Sequence, residues 1–377
     1  MNPADFSRML QRVALAGAHV FGWIFIFQYF YVEELDTSVA IGSTVLTYAL
    51  TQVIAVLLTP WSGRRVRKGI RRAMILASIS AALAFAILGL AFGGILGSMS
   101  WGILFFAILM GTYRALYWIP YEVQRESVNT PTRELLLAFI PAVSGILLVS
   151  GLPVALLLYS AACLFALSIF PTRQTEEKHE GYSWGYRESF SELFAEENRA
   201  GLFASVCDGI EGAALLLIWP VAVFLILDWS YGLLGIVLTV TLLSTIVVRT
   251  ILHRLNLSIM PPFVVAALAG SAWIMRLLVA SPLGVVLVDT YFHAGKRRQK
   301  EIDITAHEQA AENTTYVDEY TALKEMGMGI GRILLCIVVA ITASSGSFAA
   351  AVVTAFIVAG CAAIASVLLA RPQRVGL

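Results

Sequence analysis

Twelve apolar stretches occupy almost the whole of the 377-residue chain, and they constrain its fold more than any motif does. Most are about as long as the roughly 20 residues with which a helix crosses the hydrocarbon core of a bilayer. The strands of a membrane barrel would be shorter and would alternate apolar with polar residues, which these stretches do not. The sequence therefore predicts an all-α membrane protein with twelve transmembrane helices, at 12–32, 38–60, 73–93, 100–121, 133–150, 153–171, 200–227, 232–252, 261–280, 283–296, 322–343 and 347–370.

The distribution of Lys and Arg among the loops predicts the orientation of the chain. Loops after odd-numbered stretches, such as 33–37 and 93–100, contain neither residue, whereas the other loops and both termini carry nearly all of them. Loops on the cytoplasmic side of a membrane are enriched in Lys and Arg. Both termini are therefore expected to be cytoplasmic.

A long charged connection at 172–198 divides the chain into two blocks of six stretches. We expect an N-terminal six-helix bundle (1–171), this cytoplasmic linker and a C-terminal six-helix bundle (199–377). The first part of the linker, 172–180, is expected to be a solvated tether. In the second part, apolar residues at helical spacing predict a short amphipathic helix on the membrane surface, with a flexible linker as the alternative; they are Phe190, Leu193 and Phe194.

The chain contains no pattern typical of a catalytic, cofactor or metal site. Its four cysteines lie inside apolar stretches without the spacing of metal ligands, and no phosphate-binding loop or hydrolytic triad is recognisable. A formal net charge of +1 gives no indication of nucleic-acid binding. We expect no enzyme activity, no cofactor and no metal, and the expected partners are a small-molecule substrate, membrane lipids and protons as the coupling ion.

The loop between the second and third stretches resembles a family signature. Residues 63–72 resemble the glycine-and-basic motif that the major facilitator superfamily carries at this loop, although Arg67 stands at its acidic position and Ile70 at its second glycine. The segments 111–121, 211–220 and 319–332 also resemble bacterial members. The resemblance implies the fold of that superfamily, a monomer in a prokaryotic plasma membrane, and a substrate cavity lined by spans one, four, seven and ten.

Span four carries the first candidate substrate residues. Arg114 and Trp118 share one helical face, and Tyr117 lies on the adjacent face. A buried guanidinium can hold an anionic group of a substrate or a membrane carboxylate. Members of the superfamily often place an arginine in span four, so the resemblance implies that Arg114 binds substrate. A structural ion pair between helices is the alternative.

Span seven carries two carboxylates on one face, Asp208 and Glu211. Both cannot be ionised cheaply at such a separation in an apolar environment, so the pair is a candidate proton carrier. In the alternative interpretation, Asp208 lies near the cytoplasmic opening and stays hydrated. The dipeptide Trp219-Pro220 predicts a bend further along this span.

Span ten carries Asp289 and His293, four residues apart. A histidine beside a carboxylate can pass protons, and two ligands are too few for a metal site. We assign His293 to substrate binding and Asp289 to proton coupling. Arg276 in span nine and Asp289 lie at similar distances from the turn at 281–282, which predicts an ion pair between them.

Spans eleven and one supply the remaining candidates. Arg332 is predicted to bind substrate near the midplane, and Glu325 is predicted to hold the basic loop, including Arg67, as an inner gate. Three glycines between them allow close approach of a helix or a ligand; they are Gly327, Gly329 and Gly331. In span one, His19 is a candidate for the proton path, with a hydrogen-bonded packing residue as the alternative.

These observations predict a secondary transporter. We expect it to move a small organic or amphipathic solute across the plasma membrane by alternating access, with proton-coupled export as the favoured mode. Two alternatives remain open at this point: a non-transporting receptor or assembly protein that retains the fold, and a lipid flippase or scramblase.

Overall fold

The computed structural model describes residues 2–123, 131–177, 181–254, 262–295 and 317–369, and within these ranges the chain consists of helices and the segments that connect them, with no strand. The helices are α1 (Pro3–Glu34), α2 (Thr37–Arg67), α3 (Ile70–Phe92), α4 (Met99–Val123), α5 (Pro131–Ala138), α6 (Ile140–Val149), α7 (Val154–Arg173), α8 (Tyr186–Leu193), α9 (Arg199–Ala213), α10 (Trp219–Ile226), α11 (Tyr231–Arg254), α12 (Pro262–Leu277), α13 (Pro282–Gly295), α14 (Val317–Ser345) and α15 (Phe348–Leu369).

Within the described ranges, nine helical stretches are long and apolar enough to cross a membrane. One of them is the continuous stretch Glu196–Ile226, which includes α9 and α10. The expected fifth span is divided into α5 and α6, because the chain breaks its helix just before Pro141. The protein is thus a multi-pass membrane protein built from helices.

The first helix begins earlier than the apolar pattern predicts, at Pro3 rather than near residue 12. The polar residues of this first part are buried and hydrogen-bonded, which the sequence alone does not indicate. Ser7 lies 2.7 Å from the Thr172 hydroxyl of α7, and the amide nitrogen of Gln11 donates to Ser78 of α3 at 2.9 Å. Partners on neighbouring helices thus offset the cost of burying these groups.

The helix is irregular where a bend is predicted at Trp219-Pro220. A π-helical turn, Ala214–Ile218, separates α9 from α10 directly before the proline. Proline lacks an amide hydrogen and crowds the preceding turn, so the regular hydrogen-bond ladder cannot continue through it.

We refer to α1–α7 as the N-half and to α9–α15 as the C-half. The two meet along α2 with α14 and along α6 with α11. Glycines permit the close approach at both contacts: a methyl group on Gly329 would lie 2.4 Å from Val56, and one on Gly145 would lie 2.4 Å from the carbonyl oxygen of Tyr231. Gly327 and Gly331 likewise pack against α9, so the close helix approach predicted for these glycines is confirmed.

The linker between the halves contains the predicted helix, α8, and its Leu193 is buried. The solvated tether expected at 172–180 is wrong where the structure describes it. Thr172 and Thr175 are buried, and Glu177 forms an ion pair with Arg71 of α3 at 2.9 Å. The reason is electrostatic, because the basic loop before α3 offers this carboxylate a partner. We call the end of the bundle that contains the linker the linker side, and the opposite end the far side.

Candidate functional site

Charged side chains from both halves meet inside the bundle. Arg114 of α4 lies 3.9 Å from Glu325 of α14, measured from Nη2 to Oε2, and the two side chains are 11% and 15% exposed. Arg114 is thus an ion-pair partner of a membrane carboxylate, one of the two roles considered for it. The pair joins the N-half to the C-half, so any separation of the halves at this level must break it.

Arg332 makes a second polar contact between the halves. Its Nη1 donates to Oε1 of Gln52 on α2 at 3.3 Å, and the residue is only 7% exposed. It also lies close enough to Arg114, Glu325, Tyr48 and Asp208 to interact with them electrostatically. We call this group the central cluster; it consists of Tyr48, Gln52, Arg114, Asp208, Glu325 and Arg332.

Two further predicted residues lie at or near the central cluster. His19 of α1 interacts electrostatically with Arg114. Asp208 accepts a hydrogen bond from the Ser366 hydroxyl of α15 at 2.5 Å. Gln52 and Tyr48 are members that sequence reasoning missed. Their signal in the sequence is weak, because they are two polar residues one helical turn apart in a span that also carries several Ser and Thr residues.

A second charged group lies within the C-half. The guanidinium of Arg276 is fully buried, and its Nη2 lies 2.8 Å from Oδ1 of Asp289. The indole nitrogen of Trp219 donates to the other carboxylate oxygen at 2.9 Å. The predicted ion pair between Arg276 and Asp289 is therefore confirmed. This partner explains why Asp289 can be buried in the bundle.

Aromatic rings surround the Arg276 guanidinium. Its central carbon lies 4.3 Å from the ring centre of Trp273, 4.4 Å from that of Phe292 and 5.2 Å from that of Trp219. Cation–π attraction at such distances adds to the ion pair in an environment without water. We call Arg276, Asp289, Trp219, Trp273 and Phe292 the arginine cage.

Glu211 borders the arginine cage. It is 1% exposed, and its Oε1 lies 3.4 Å from the indole nitrogen of Trp273, which donates to it. It also interacts electrostatically with Arg276. The two carboxylates of span seven therefore have different surroundings: Asp208 faces α15 and the central cluster, whereas Glu211 faces α12 and the cage.

The remaining predicted substrate residues make mainly aromatic contacts. Tyr117 is 5% exposed and stacks between Tyr113 and Tyr121, with ring centres 5.1 and 5.3 Å away. Trp118 packs its edge against the same column. His293, near the end of α13, borders the arginine cage, with its ring centre 5.2 Å from that of Phe292.

The predicted gate between Glu325 and the basic loop needs correction. Glu325 is directed at Arg114, and Arg67 is exposed. An acidic partner of the loop comes instead from the linker, because Oε1 of Glu177 accepts the backbone N–H of Arg71 at 3.2 Å. Gly69 has a φ of 138°, and a methyl group there would lie 2.1 Å from this carboxylate. The linker thus supplies an acid that the loop lacks.

The linker also closes the bundle on its own side. Tyr182 is buried in an apolar cluster that joins both halves, formed with Val66, Ile70, Ala73, Met74, Ile119 and Ala322. The backbone N–H and hydroxyl of the next residue, Ser183, donate to Glu319 of α14 at 2.8 and 2.7 Å. The phenol of Tyr186 donates to the Leu57 carbonyl of α2 at 3.1 Å.

Aromatic residues join the halves at the far side. Tyr231, at the start of α11, donates a hydrogen bond to Gln28 of α1 and packs against Phe25 with ring centres 5.6 Å apart. A cavity of about 460 Å³ lies beside them and is lined by Phe25, Gln28, Tyr29, Tyr31, Val32, Phe92, Val154, Trp229 and Tyr231. Trp229 likewise packs between the halves, with its ring centre 5.9 Å from that of Phe27 of α1.

A metal site finds no support in the part of the chain that the structure describes, since no three His, Cys, Asp or Glu side chains there are grouped to hold an ion. Buried charges and hydrogen-bond donors are present instead. This chemistry suits the binding of a polar solute or the movement of a proton.

Neither a protein-family model nor a curated protein sequence matches the chain. Solved structures do. The human organic anion transporter MFSD10 is 12% identical with a TM-score of 0.60, and the match covers 98% of both chains. The Escherichia coli fucose:proton symporter FucP is 14% identical with a TM-score of 0.56, again over 98% of each chain. A POT family transporter in complex with a thioalcohol-conjugated peptide is 14% identical with a TM-score of 0.63, over 97% of this chain and 94% of that one. Identities this low establish the architecture alone: this chain has the fold of transporters of the major facilitator type.

Proposed function

We propose that this protein is a secondary transporter that moves a small organic solute across a membrane by alternating access. The observation that carries the proposal is the central cluster, in which Arg114–Glu325 and Arg332–Gln52 join the two halves through buried polar contacts. Buried charges are costly and are typical of substrate or ion pathways. The similar structures include an organic anion transporter and a fucose:proton symporter, both of which act on small solutes.

The proposal includes the arrangement of the chain in the membrane. Twelve spans in two six-helix halves, with both termini cytoplasmic, agree with the basic residues on the linker side and their absence from the far-side loops. We place the protein as a lipid-embedded monomer in a prokaryotic plasma membrane. In this orientation the cavity of about 460 Å³ lies at the outer face, where it would serve as a release vestibule during export.

We further propose that Glu211 carries the coupled proton. Two buried carboxylates, Glu211 and Asp289, share one guanidinium, that of Arg276. Asp289 holds the direct ion pair, so a proton on Glu211 leaves the group with no net charge. Loss of that proton leaves a net negative charge in an apolar environment, which is costly and favours a rearrangement of the bundle.

The experiment reconstitutes the purified protein in liposomes that contain a pH-sensitive dye. Pools of organic acids, sugars, nucleosides and small peptides are added outside, and internal pH and solute uptake are followed together. We expect one pool to produce a solute-dependent proton signal. Glu211→Gln should abolish proton movement but retain solute exchange, whereas Glu197→Gln at an exposed position should match the wild type.

Other outcomes would contradict parts of the proposal. Solute uptake without any proton signal would exclude proton coupling but retain transport. A folded protein that moves no solute from any pool would exclude the transporter and favour a non-transporting receptor. Movement of labelled lipid between leaflets in the same liposomes would favour a flippase or scramblase.

A further inference from the structure

We propose that the transported solute carries a carboxylate, and that this group binds to the Nε and Nη2 atoms of Arg332 beside Gly212. This inference rests on the proposed transport function, because it names the class of solute that the central cluster accepts. Three independent features of the cluster carry it: unpaired donors, an unmatched charge and a missing side chain.

Buried donors of the central cluster lack acceptors. The Nε of Arg332, the amide nitrogen of Gln52 and the hydroxyl of Tyr48 are buried without a hydrogen-bond partner among the described residues. Their residues are 7%, 0% and 1% exposed. A buried donor without an acceptor is costly, so such groups are normally satisfied by protein, water or ligand. Three of them in one cluster indicate a missing acceptor.

Among the described residues, Arg332 also has no carboxylate in a direct ion pair with it. Its hydrogen bonds go to neutral acceptors, the Gln52 amide oxygen at 3.3 Å and the Met328 sulfur at 4.0 Å. The nearby carboxylates have other partners: Glu325 pairs with Arg114, and Asp208 accepts from Ser366. An arginine buried in this way favours a carboxylate that brings a negative charge of its own.

The side of the guanidinium that carries Nε and Nη2 faces a position without a side chain. A methyl group on Gly212 of α9 would lie 3.7 Å from Nε and 3.9 Å from Nη2 of Arg332. These two nitrogens form a planar pair of donors whose spacing matches the two oxygens of a carboxylate. Of the two contacts, Nε has no acceptor and Nη2 has only a weak one in sulfur, so a carboxylate would improve both.

The N-half contributes the other two unpaired donors of the central cluster. Tyr48 and Gln52 lie one helical turn apart on α2, whereas Arg332 and Gly212 belong to the C-half. A carboxylate held by Nε and Nη2 of Arg332 leaves Nη1 to Gln52, so the solute would bind while this contact between the halves is still made.

The test combines a binding measurement with a transport measurement on the full-length protein. Small carboxylates, such as acetate, lactate, succinate, benzoate and amino acids, are each compared with the corresponding amide. Binding is followed as a shift in the unfolding temperature of the detergent-solubilised protein, and transport as uptake into liposomes. We expect at least one carboxylate to stabilise the protein and to be taken up, and its amide to do neither.

Variants assign the binding position. Gly212→Ala keeps the charge of Arg332 but narrows the space beside it, and should raise the required carboxylate concentration about tenfold. Gly201→Ala lies on the same helix with nothing within 4 Å of the added methyl group, and should have no effect. Arg332→Lys keeps the charge but removes the paired donors, and should weaken binding by about tenfold or more.

The outcomes separate this inference from the proposed function. Equal transport of a carboxylate and its amide, or unchanged binding in Gly212→Ala and Arg332→Lys, would overturn the carboxylate site and retain the transporter. Stabilisation that depends on Arg332 without any uptake would retain the site and overturn transport. Absence of both stabilisation and uptake for every carboxylate would overturn the inference. Gly212→Ala keeps the test valid if the Arg332 variant fails to fold.

Discussion

The charged side chain of Arg276 is fully buried. Its charge is balanced by Asp289 and its faces are covered by Trp219, Trp273 and Phe292. At the residue scale, the C-half therefore depends on the contact that the buried charges of Arg276 and Asp289 make between neighbouring spans. Removal of Arg276 or Asp289 would leave the other charge buried without its direct ion-pair partner.

We therefore expect Asp289→Asn to destabilise the protein by about 3 kcal/mol, because the substitution removes the direct ion pair of Arg276 and leaves the more distant Glu211 as its counter-charge. The asparagine keeps the size of the side chain and an acceptor for Trp219, so the effect reports the lost charge. The yield of folded protein and the midpoint of denaturant unfolding in detergent measure it. An unchanged midpoint, equal to that of Glu197→Gln, would show that the ion pair adds nothing to the stability of the protein.

Because the phenol of Tyr182 in the linker is buried, we expect the stability of the folded protein to depend on pH. Burial raises the pKa of its phenol to about 12, and the nearby charges of Glu319 and Asp318 act in the same direction. The folded protein thus favours the neutral phenol. Its stabilising effect is complete below pH 10, the ordinary pKa, and is lost as the pH rises through about 12.

The unfolding temperature of the wild type and of Tyr182→Phe, measured between pH 8 and pH 12, tests this. The variant cannot ionise at this position, so its unfolding temperature should rise relative to that of the wild type as the pH rises above 10. The other tyrosines titrate equally in both proteins and cancel in the difference. A constant difference across the range would show that the phenol ionises as freely in the folded protein as in the unfolded chain.

At the scale of elements, the linker acts as part of the bundle. It supplies Glu177 to the loop before α3, inserts Tyr182 between the halves and pairs Ser183 with α14. This arrangement depends on Gly63 of α2, since a methyl group there would lie 2.4 Å from the Tyr182 ring. A closed linker side therefore requires that position 63 has no side chain.

We expect Gly63→Ala to displace Tyr182 and loosen the linker, because an aromatic ring cannot yield to so close a contact without moving as a whole. Tryptic cleavage after the exposed Arg187 of α8, followed by mass spectrometry, should become several times faster. Gly201→Ala is the matched control and should be cleaved at the wild-type rate. Equal rates for all three proteins would mean that the linker is not held by this contact.

At the scale of the whole molecule, the halves are joined at both ends and through the centre. The far side is held by Tyr231 with Gln28, the centre by Arg114 with Glu325, and the linker side by the Tyr182 cluster. Alternating access requires that the contacts at one end break while those at the other remain. A covalent bond across one end should therefore stop the cycle.

Gly42 of α2 and Ala343 of α14 allow such a bond at the far side. A methyl group on Gly42 would lie 3.8 Å from Cβ of Ala343, which is the usual Cβ separation of a disulfide. With the native cysteines replaced, Gly42→Cys combined with Ala343→Cys should form a disulfide on oxidation. Transport should then fall by about tenfold or more and return on reduction.

Each single-cysteine variant, treated in the same way, controls for the oxidant. Full transport by the doubly substituted protein after complete disulfide formation would show that α2 and α14 need not separate at the far side. The proposed rocking of the halves would then be wrong at this end.

Periodicity and charge in the sequence determined the helical membrane fold and the Arg276–Asp289 pair, because both depend on distances along a helix or across one short turn. The irregular helical turn before Pro220 follows in the same way from the covalent structure of proline. Contacts between distant segments were decided only by the tertiary structure. Helix packing brings distant segments together, so that Arg114 contacts Glu325, Glu177 contacts the loop before α3, and Gln52 contacts Arg332. The position of Gly212 beside Arg332 belongs to the same class, since the effect of a missing side chain depends on the residue that faces it.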